Sequence, residues 1–145
     1  FKKIKETQRF LEKENIETII EPGRFIAAPP IKLETEILKI NENIIVINCS
    51  IYNSALDTII TGIKMFIEQE LPEGKDSKKG KDKGNFYLIK GNTPTRDDIF
   101  RYKVKLENPK IGDKITFLNA GAYNFTTDFC NLKKLKTEII DWVID

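Results

Sequence analysis

Two consecutive prolines, Pro29 and Pro30, divide the sequence into parts with different hydrophobic periodicity. Neither nitrogen can donate a hydrogen bond, and the residue before a proline is pushed out of the helical region. Before the pair, apolar residues recur every three or four positions, and after it they alternate with polar ones. The prolines therefore predict a boundary between residues 1–30 and residues 31–145.

The part before the prolines fits one helix followed by one strand. Ile4, Phe10 and Leu11 share one face of a helix over residues 2–14, with charged side chains between them. Residues 16–20 are rich in isoleucine, which favours a short buried strand. A helix and a strand in this order form one unit of an α/β fold.

The part after the prolines is dominated by strand patterns. In residues 31–37 apolar and charged side chains alternate, as a half-buried strand requires. Residues 54–71 fit a short helix leading into a strand, and the lysine-rich residues 74–84 fit a solvated hairpin loop or a site for an anionic partner. Further strands are predicted at residues 44–47, 86–89, 99–106, 114–118 and 138–144. The predicted fold class is mainly β, an antiparallel sheet or barrel preceded by a helix–strand unit.

Composition excludes several classes of function. The 145 residues carry 24 basic and 22 acidic side chains, too even a balance to indicate nucleic acid or an acidic membrane as the partner. No apolar run approaches the ~20 residues that cross a bilayer, and the N-terminus lacks a signal-peptide core, so a cytoplasmic location is expected. Because the chain has no histidine and its cysteines, Cys49 and Cys130, lie far apart, neither a Ser-His-Asp triad nor a zinc site is indicated.

The first candidate site is the EPGR segment, residues 21–24, directly after the predicted strand. Functional groups project from the C-terminal ends of strands in βα barrels. Gly23 allows a ligand to approach the backbone, and the planar donors of Arg24 suit a phosphate. Glu21 could hold a positively charged ring nitrogen. Taken alone, the segment is also explained by a surface ion pair at a turn.

The second candidate is the NAGAYNF segment, residues 119–125. Its small residues bring the backbone close to a neighbour, and Tyr123 presents a hydroxyl. Taken alone, it is also explained by a packed tyrosine at the end of a strand. A third segment, GNTPTRDD at residues 91–98, lies between these two in the sequence.

In this order the EPGR, GNTPTRDD and NAGAYNF segments resemble the C-terminal part of the pyridoxal-phosphate-dependent amino-acid decarboxylases of the ornithine and diaminopimelate type, which belong to fold-type III. In that family a βα (TIM) barrel is followed by a β-sheet domain. Residues 1–30 would then contain the last helix and strand of the barrel, and residues 31–145 the sheet domain. Alanine racemases share this plan, but the pairing of EPGR with NAGAYNF favours the decarboxylases.

The resemblance implies a cofactor-binding role for five residues. Glu21 would face the pyridine nitrogen and keep it protonated, so that the ring acts as an electron sink. Gly23 and Arg24, with Pro22 beside them in the same segment, would hold the cofactor phosphate. Tyr123 is similar to the family tyrosine that hydrogen-bonds that phosphate.

On the substrate side the sequence departs from the family. The family's cysteine and acidic residue, contributed across a dimer interface, fall at Pro94 and Thr95, and a proline cannot transfer a proton. Cys49 stands where the family has an acidic residue for the distal amine of the substrate. Phe129 resembles an aromatic residue that borders the pocket. The Schiff-base lysine and the histidine that stacks on the ring belong to early barrel strands that this sequence lacks, so no catalytic residue is assigned here.

Three hypotheses follow for the function. The chain is the C-terminal portion of a decarboxylase, supplying part of the cofactor site and the dimer interface; or its parent protein binds the cofactor with altered chemistry; or it is a stand-alone β module for dimerisation or ligand binding. The first is preferred because Glu21 and Arg24 have no evident use without a barrel. It implies pyridoxal phosphate as cofactor, an amino acid as substrate, and a homodimer or other self-association.

Overall fold

The computed structural model describes residues 2–72, 84–124 and 132–140 and contains short helices and strands. The helices are α1 (Lys2–Lys13), α2 (Arg24–Ala27), α3 (Ile51–Ser54) and α4 (Leu56–Thr61). The strands are β1 (Leu33–Asn41), β2 (Ile44–Ile47), β3 (Phe66–Ile67), β4 (Asn85–Lys90), β5 (Ile99–Leu106) and β6 (Lys114–Leu118). A 3-10 turn at Ala122–Asn124 follows β6.

The six strands form one curled sheet in the order β3–β6–β1–β2–β4–β5. Among the described strands, four ladders are antiparallel, and only β2 and β4 pair in parallel, with Ile44 opposite Leu88 and Val46 opposite Lys90. The mainly β fold class is confirmed, but the sheet departs from the expected antiparallel pairing at this ladder. The crossover through α3, α4 and β3 is long enough to bring the chain back in the same direction.

The apolar core lies on the inner face of the sheet. Along β1, Thr35 and Ile37 are buried while their immediate neighbours are exposed, which is the alternation that the sequence predicts. Phe100 on β5 and Phe117 on β6 pack with ring centroids 5.0 Å apart. Since β5 and β6 are far apart in the order of the sheet, this contact requires the sheet to curl around one core.

Residues 65–71 tie the β3 edge of the sheet to the β5 edge. Arg101 on β5 donates one hydrogen bond to the Met65 carbonyl and another to the Glu70 carboxylate, each 2.8 Å long. The Leu71 amide donates to the Lys105 carbonyl at 2.9 Å. The Arg101 side chain is only 12% exposed, so its ion pair is better shielded from solvent than a surface pair.

The N-terminal helix is confirmed, whereas the strand expected after it is not formed. α1 ends where Asn15 adopts a left-handed conformation (φ 54°) and the Ile16 amide bonds to the Leu11 carbonyl. Residues 16–20 are irregular, with Ile19 and Ile20 exposed by 81% and 80%. A strand needs a neighbouring strand to satisfy its backbone groups, and none of the described strands pairs with this segment.

Most other predicted elements agree with the structure. The strands predicted at residues 44–47, 86–89, 99–106 and 114–118 correspond to β2, β4, β5 and β6, and α4 followed by β3 matches the predicted helix and strand. The strand predicted at residues 138–144 is wrong over residues 138–140, which are irregular and have no pairing strand. Residues 141–144, and residues 74–83 of the predicted loop, lie outside the described residues.

The longest described helix is α1, which has 12 residues, none of them buried. Within the described ranges no helix combines the length and the apolar character needed to cross a membrane.

Replacing Arg101 tests whether its contacts hold the two sheet edges together. We expect Arg101→Met to lower the free energy of unfolding by about 1–3 kcal/mol, because both hydrogen bonds are lost and the partly buried Glu70 carboxylate is left unpaired. Lys32→Met is the control, since Lys32 and Glu68 form a pair that is 46% and 49% exposed. That pair should contribute less than about 1 kcal/mol. Denaturant titration measures both, and equal effects would contradict the proposed closure.

Candidate functional site

The NAGAYNF segment, 95 or more residues after the EPGR segment in the sequence, contacts that segment and the residues directly after it. The Gly121 amide donates to the Ala28 carbonyl at 3.1 Å, and the Ala120 amide donates to the Ile31 carbonyl at 2.9 Å. A Cβ atom on Gly121 would lie 2.0 Å from the Ala27 carbonyl oxygen. Only glycine permits this approach, so the small residues of the segment serve the close packing that the sequence predicts.

Arg24 and Tyr123 meet where the two segments come together. The guanidinium carbon of Arg24 lies 4.8 Å from the centre of the Tyr123 ring, within cation–π distance. Tyr123 has a left-handed backbone (φ 26°), as does Ala122 (φ 43°), and its side chain is 62% exposed. A Cβ atom on Gly23 would lie 3.8 Å from the Tyr123 hydroxyl, so this hydroxyl is next to the Gly23 backbone.

Arg24 also forms a two-pronged ion pair with Asp57, the second residue of α4. Its Nε donates to Oδ2 at 2.8 Å, and its Nη2 donates to Oδ1 at 2.7 Å. The two side chains differ in exposure, 44% for Arg24 and 6% for Asp57. Asp57 is therefore the enclosed partner, and Arg24 reaches from it towards the surface.

Several contacts hold Asp57 in place without Arg24. The Asp57 amide donates to the Asn124 carbonyl oxygen Oδ1 at 2.9 Å. The Thr61 hydroxyl donates to the Asp57 carbonyl at 2.7 Å and lies 3.3 Å from its carboxylate. Asn124 belongs to the NAGAYNF segment, so that segment contacts both members of the ion pair.

The ion pair shifts the titration of both partners. The hydrogen bond from Arg24 lowers the pKa of the Asp57 carboxyl although burial opposes this, and the hydrogen bond to Asp57 raises the pKa of Arg24. Because the folded pKa of Asp57 is lowered, the pair adds stability at pH values above the ordinary aspartate value of about 3.9. That stability is lost as the pH falls through the lowered pKa. Both groups are charged at neutral pH.

Two groups near the contact of Arg24 with Tyr123 can still donate hydrogen bonds. Within the described residues, Nη1 of Arg24 and the hydroxyl of Tyr123 have no hydrogen-bond partner. The guanidinium lies over the Tyr123 ring, and the Tyr123 hydroxyl lies next to the Gly23 backbone. A guanidinium and a hydroxyl are suited to a phosphate group. Glu21 and Pro22 are exposed and directly precede Gly23. The donor set thus fits the cofactor phosphate that the resemblance implies.

The GNTPTRDD segment forms a separate cluster around Asp98, a residue that is fully buried. Its carboxylate accepts from the Ile51 amide at 2.8 Å, the Thr93 amide at 3.0 Å and the Thr93 hydroxyl at 2.6 Å. These bonds fix the loop that carries Pro94 and Thr95, both of which are exposed. The loop is therefore ordered by Asp98, the acidic residue at its end.

Cys49 lies beside this loop but inside the core. The Asn92 amide donates to the Cys49 carbonyl at 3.0 Å. The Cys49 side chain is 3% exposed, and burial raises the pKa of its thiol to about 12. The thiol is thus protonated and enclosed. The substrate contact expected here stays a prediction, as does that of Phe129, which lies outside the described residues.

Sequence reasoning did not single out Asp57, Asn124 or Asp98. Asn124 and Asp98 are part of the NAGAYNF and GNTPTRDD segments, but nothing in those segments shows which side chain turns inward. Asp57 lies in the first turn of the predicted helix, where an acidic residue is common for local electrostatic reasons. Its partner is 33 residues away in the chain, so no local pattern indicates the pair.

Gly121 provides a test of the contact between the NAGAYNF segment and residues 27–31. We expect Gly121→Ala to lower the free energy of unfolding by about 1–3 kcal/mol, since the added carbon collides with the Ala27 carbonyl. The amides of Ala120 and Gly121 should then lose their protection against hydrogen exchange. Gly62→Ala is the control, because its cost of about 1 kcal/mol comes from a left-handed backbone (φ 70°) with no atom within 4 Å. Unchanged protection in Gly121→Ala would contradict the contact.

Several solved structures are similar to the chain, although no protein-family model and no curated protein matches its sequence. The arginine decarboxylase of Paramecium bursaria Chlorella virus, bound to agmatine, is 26% identical with a TM-score of 0.57, and the match covers 74% of this chain and 29% of that one. The carboxynorspermidine decarboxylase of Campylobacter jejuni, complexed with norspermidine, is 25% identical with a TM-score of 0.62, covering 83% and 35%. SrLDC, in complex with PLP and cadaverine, has a TM-score of 0.64 at 14% identity, covering 83% and 31%.

The chain spans about a third of the length of these decarboxylases. The match at 14% identity shows a shared fold, and the matches at 25% and 26% accompany a likeness in sequence. The comparisons thus confirm the resemblance: the chain is similar in fold to part of the pyridoxal-phosphate-dependent decarboxylases of fold-type III, and to two of them, at 25% and 26% identity, in sequence as well.

Proposed function

We propose that this chain supplies the phosphate-binding half of the cofactor site in a pyridoxal-phosphate-dependent amino-acid decarboxylase of the ornithine or diaminopimelate type, acting in the cytoplasm. The single observation that carries the proposal is the meeting of Arg24 and Tyr123 next to Gly23. These donors come from two distant segments, and a phosphate is the group that they suit together. Such a role explains why an arginine is held at this position with donors to spare.

Each residue of the half-site has a separate task in the proposal. Arg24 and Tyr123 would donate hydrogen bonds to the cofactor phosphate, and Gly23, with Pro22 before it, would let the phosphate reach the backbone. Glu21 would accept a hydrogen bond from the ring nitrogen and hold a proton there. The bound cofactor supplies an electron sink for the bond that is broken at the amino acid.

On the substrate side the proposal differs from the ordinary family member. Pro94 and Thr95 carry no group that transfers a proton at neutral pH, and the Cys49 thiol is buried and protonated. This chain therefore offers no carboxylate at the position of Cys49 for a distal ammonium group. We infer that the substrate is an amino acid, that Phe129 borders its pocket, and that the Schiff-base lysine and the acid are supplied by other strands or by a partner subunit.

The experiment for the proposal is cofactor binding by the complete protein with Arg24→Ala. Loss of charge-assisted hydrogen bonds should weaken the affinity for pyridoxal phosphate by about 10- to 100-fold. Arg9→Ala removes the same charge from the exposed surface of α1 and should leave the affinity unchanged. The dissociation constant is measured by absorbance titration, and equal affinities of Arg24→Ala and the unaltered protein would contradict the proposal.

We also propose that the isolated chain associates with itself through residues 16–26. Ile19 and Ile20 are exposed by 81% and 80%, and Phe25 and Ile26 by 74% and 61%. Leaving four large apolar side chains in water is unfavourable, and covering them recovers the hydrophobic free energy.

Light scattering on the 145-residue chain tests this association. We expect a species of at least twice the mass of 16.7 kDa, and we expect the double variant Ile19→Lys, Ile20→Lys to shift it towards the monomer, because charged side chains resist burial. Lys2→Glu with Lys5→Glu, on the exposed face of α1, changes charge without removing apolar surface and should not shift it. A monomer at all concentrations would contradict the proposal.

A further inference from the structure

Asp57 occupies one edge of the Arg24 guanidinium and leaves another edge open. A guanidinium has five N–H donors in one plane. The bonds to Asp57 use Nε and Nη2, the edge nearest the side-chain stem. Nη1, and the second hydrogen of Nη2, form the outer edge, and within the described residues Nη1 has no partner. Two donors therefore point away from Asp57 as a parallel fork, the arrangement that binds two oxygens of one phosphate.

Two neighbours limit the ways in which Arg24 can turn. Asp57 fixes the plane of the guanidinium through two bonds, and the Tyr123 ring lies 4.8 Å from its central carbon. Asp57 is in turn held by the side chain of Asn124 and by the Thr61 hydroxyl. A long, 44% exposed arginine thus acquires a single orientation that its own backbone would not impose.

We propose that Asp57 is a positioning residue that orients Arg24 so that its outer edge faces the cofactor phosphate. The proposal rests on the proposed function and adds a residue that neither the EPGR nor the NAGAYNF segment contains. Asp57 acts only through Arg24 and touches no ligand. Its carboxylate removes the conformational freedom that Arg24 would otherwise lose on binding.

The opposite role for Asp57 would be competition with the phosphate for Arg24. A negative charge close to the site repels a phosphate, so removing it would then tighten binding. The geometry favours orientation, because the carboxylate takes the stem edge and leaves the outer fork open. Asp57 is also enclosed, with a side chain 6% exposed, so a phosphate arriving from solvent meets Arg24 first.

Cofactor binding by the complete protein separates these roles. We expect Asp57→Ala to weaken the affinity for pyridoxal phosphate by about 10-fold, and Asp57→Asn, which keeps the shape and one acceptor, to weaken it less. Asp113→Ala is the charge control, since Asp113 accepts a hydrogen bond from the Lys110 amide in an exposed turn away from this site. Circular dichroism confirms that each variant is folded, and Asp57→Asn serves if Asp57→Ala is not.

A double-mutant cycle with Arg24→Ala measures whether the effect of Asp57 on the affinity for pyridoxal phosphate depends on Arg24. A merely structural role of Asp57 would not depend on Arg24. If Asp57 acts through Arg24, removing Asp57 from the Arg24→Ala protein should change the affinity less than 2-fold. Tighter binding by Asp57→Ala, no effect of either Asp57 variant, or additive effects in the double variant would each overturn the proposal. If Arg24→Ala itself binds normally, the proposed function fails; if only the Asp57 variants bind normally, that function stands without this inference.

Discussion

The guanidinium of Arg101 joins the two edges of the curled sheet, and the position of the candidate site depends on this closure. Its bonds to Met65 and Glu70 hold the chain that follows α4 against β5. α3 and α4 run between β2 and β3, so their two ends lead to an inner strand and to an edge strand of the same sheet. β3 itself pairs with β6, so the segment that follows α4, the helix of Asp57, is bound both to the sheet edge and to β5.

Strained backbone concentrates in the segment that carries Tyr123. Asn119, Ala122 and Tyr123 all have positive φ values, of 57°, 43° and 26°. Non-glycine residues in such conformations cost of the order of 1 kcal/mol each, and they persist where surrounding contacts hold them. Here the contacts are the bond from Asp57 to Asn124, the close approach of Gly121 to Ala27, and the Arg24–Tyr123 stacking. Strain that is kept next to a set of unsatisfied donors favours a binding role for this loop over a purely structural one.

Elements that are determined by neighbouring residues could be predicted from the sequence, whereas pairings between distant segments could not. β6 was predicted over its full length because Gly112 and Asp113 mark a turn before it and alternation continues through it. The parallel pairing of β2 with β4 was not predicted, because the relative direction of these two strands is decided by a connection of 37 residues between them. Residues 16–20 have the composition of a strand, but a strand also needs a partner, and composition does not reveal whether one exists.

For the site, the sequence indicated Gly23, Arg24 and Tyr123 through the resemblance, and the structure brings them together. Their grouping could not have been derived from spacing, because the segments are far apart in the chain. Asp57 was not predicted for the same reason. An acidic residue in the first turn of a helix is also explained by its favourable interaction with the helix dipole. Sequence reasoning thus found the donors that the structure brings together but missed the carboxylate that binds Arg24.

The cluster around Arg24 and the cluster around Asp98 are connected by one short stretch of chain. Residues 49–57 run from the Cys49 core position, past the Ile51 amide that binds Asp98, to the Asp57 carboxylate that binds Arg24. At the Arg24 end this stretch supports donors for an anion. At the Cys49 end the position is neutral and closed to solvent. In the proposed function, cofactor affinity and substrate recognition would rest on opposite ends of this one stretch, so the second could change while the first is retained.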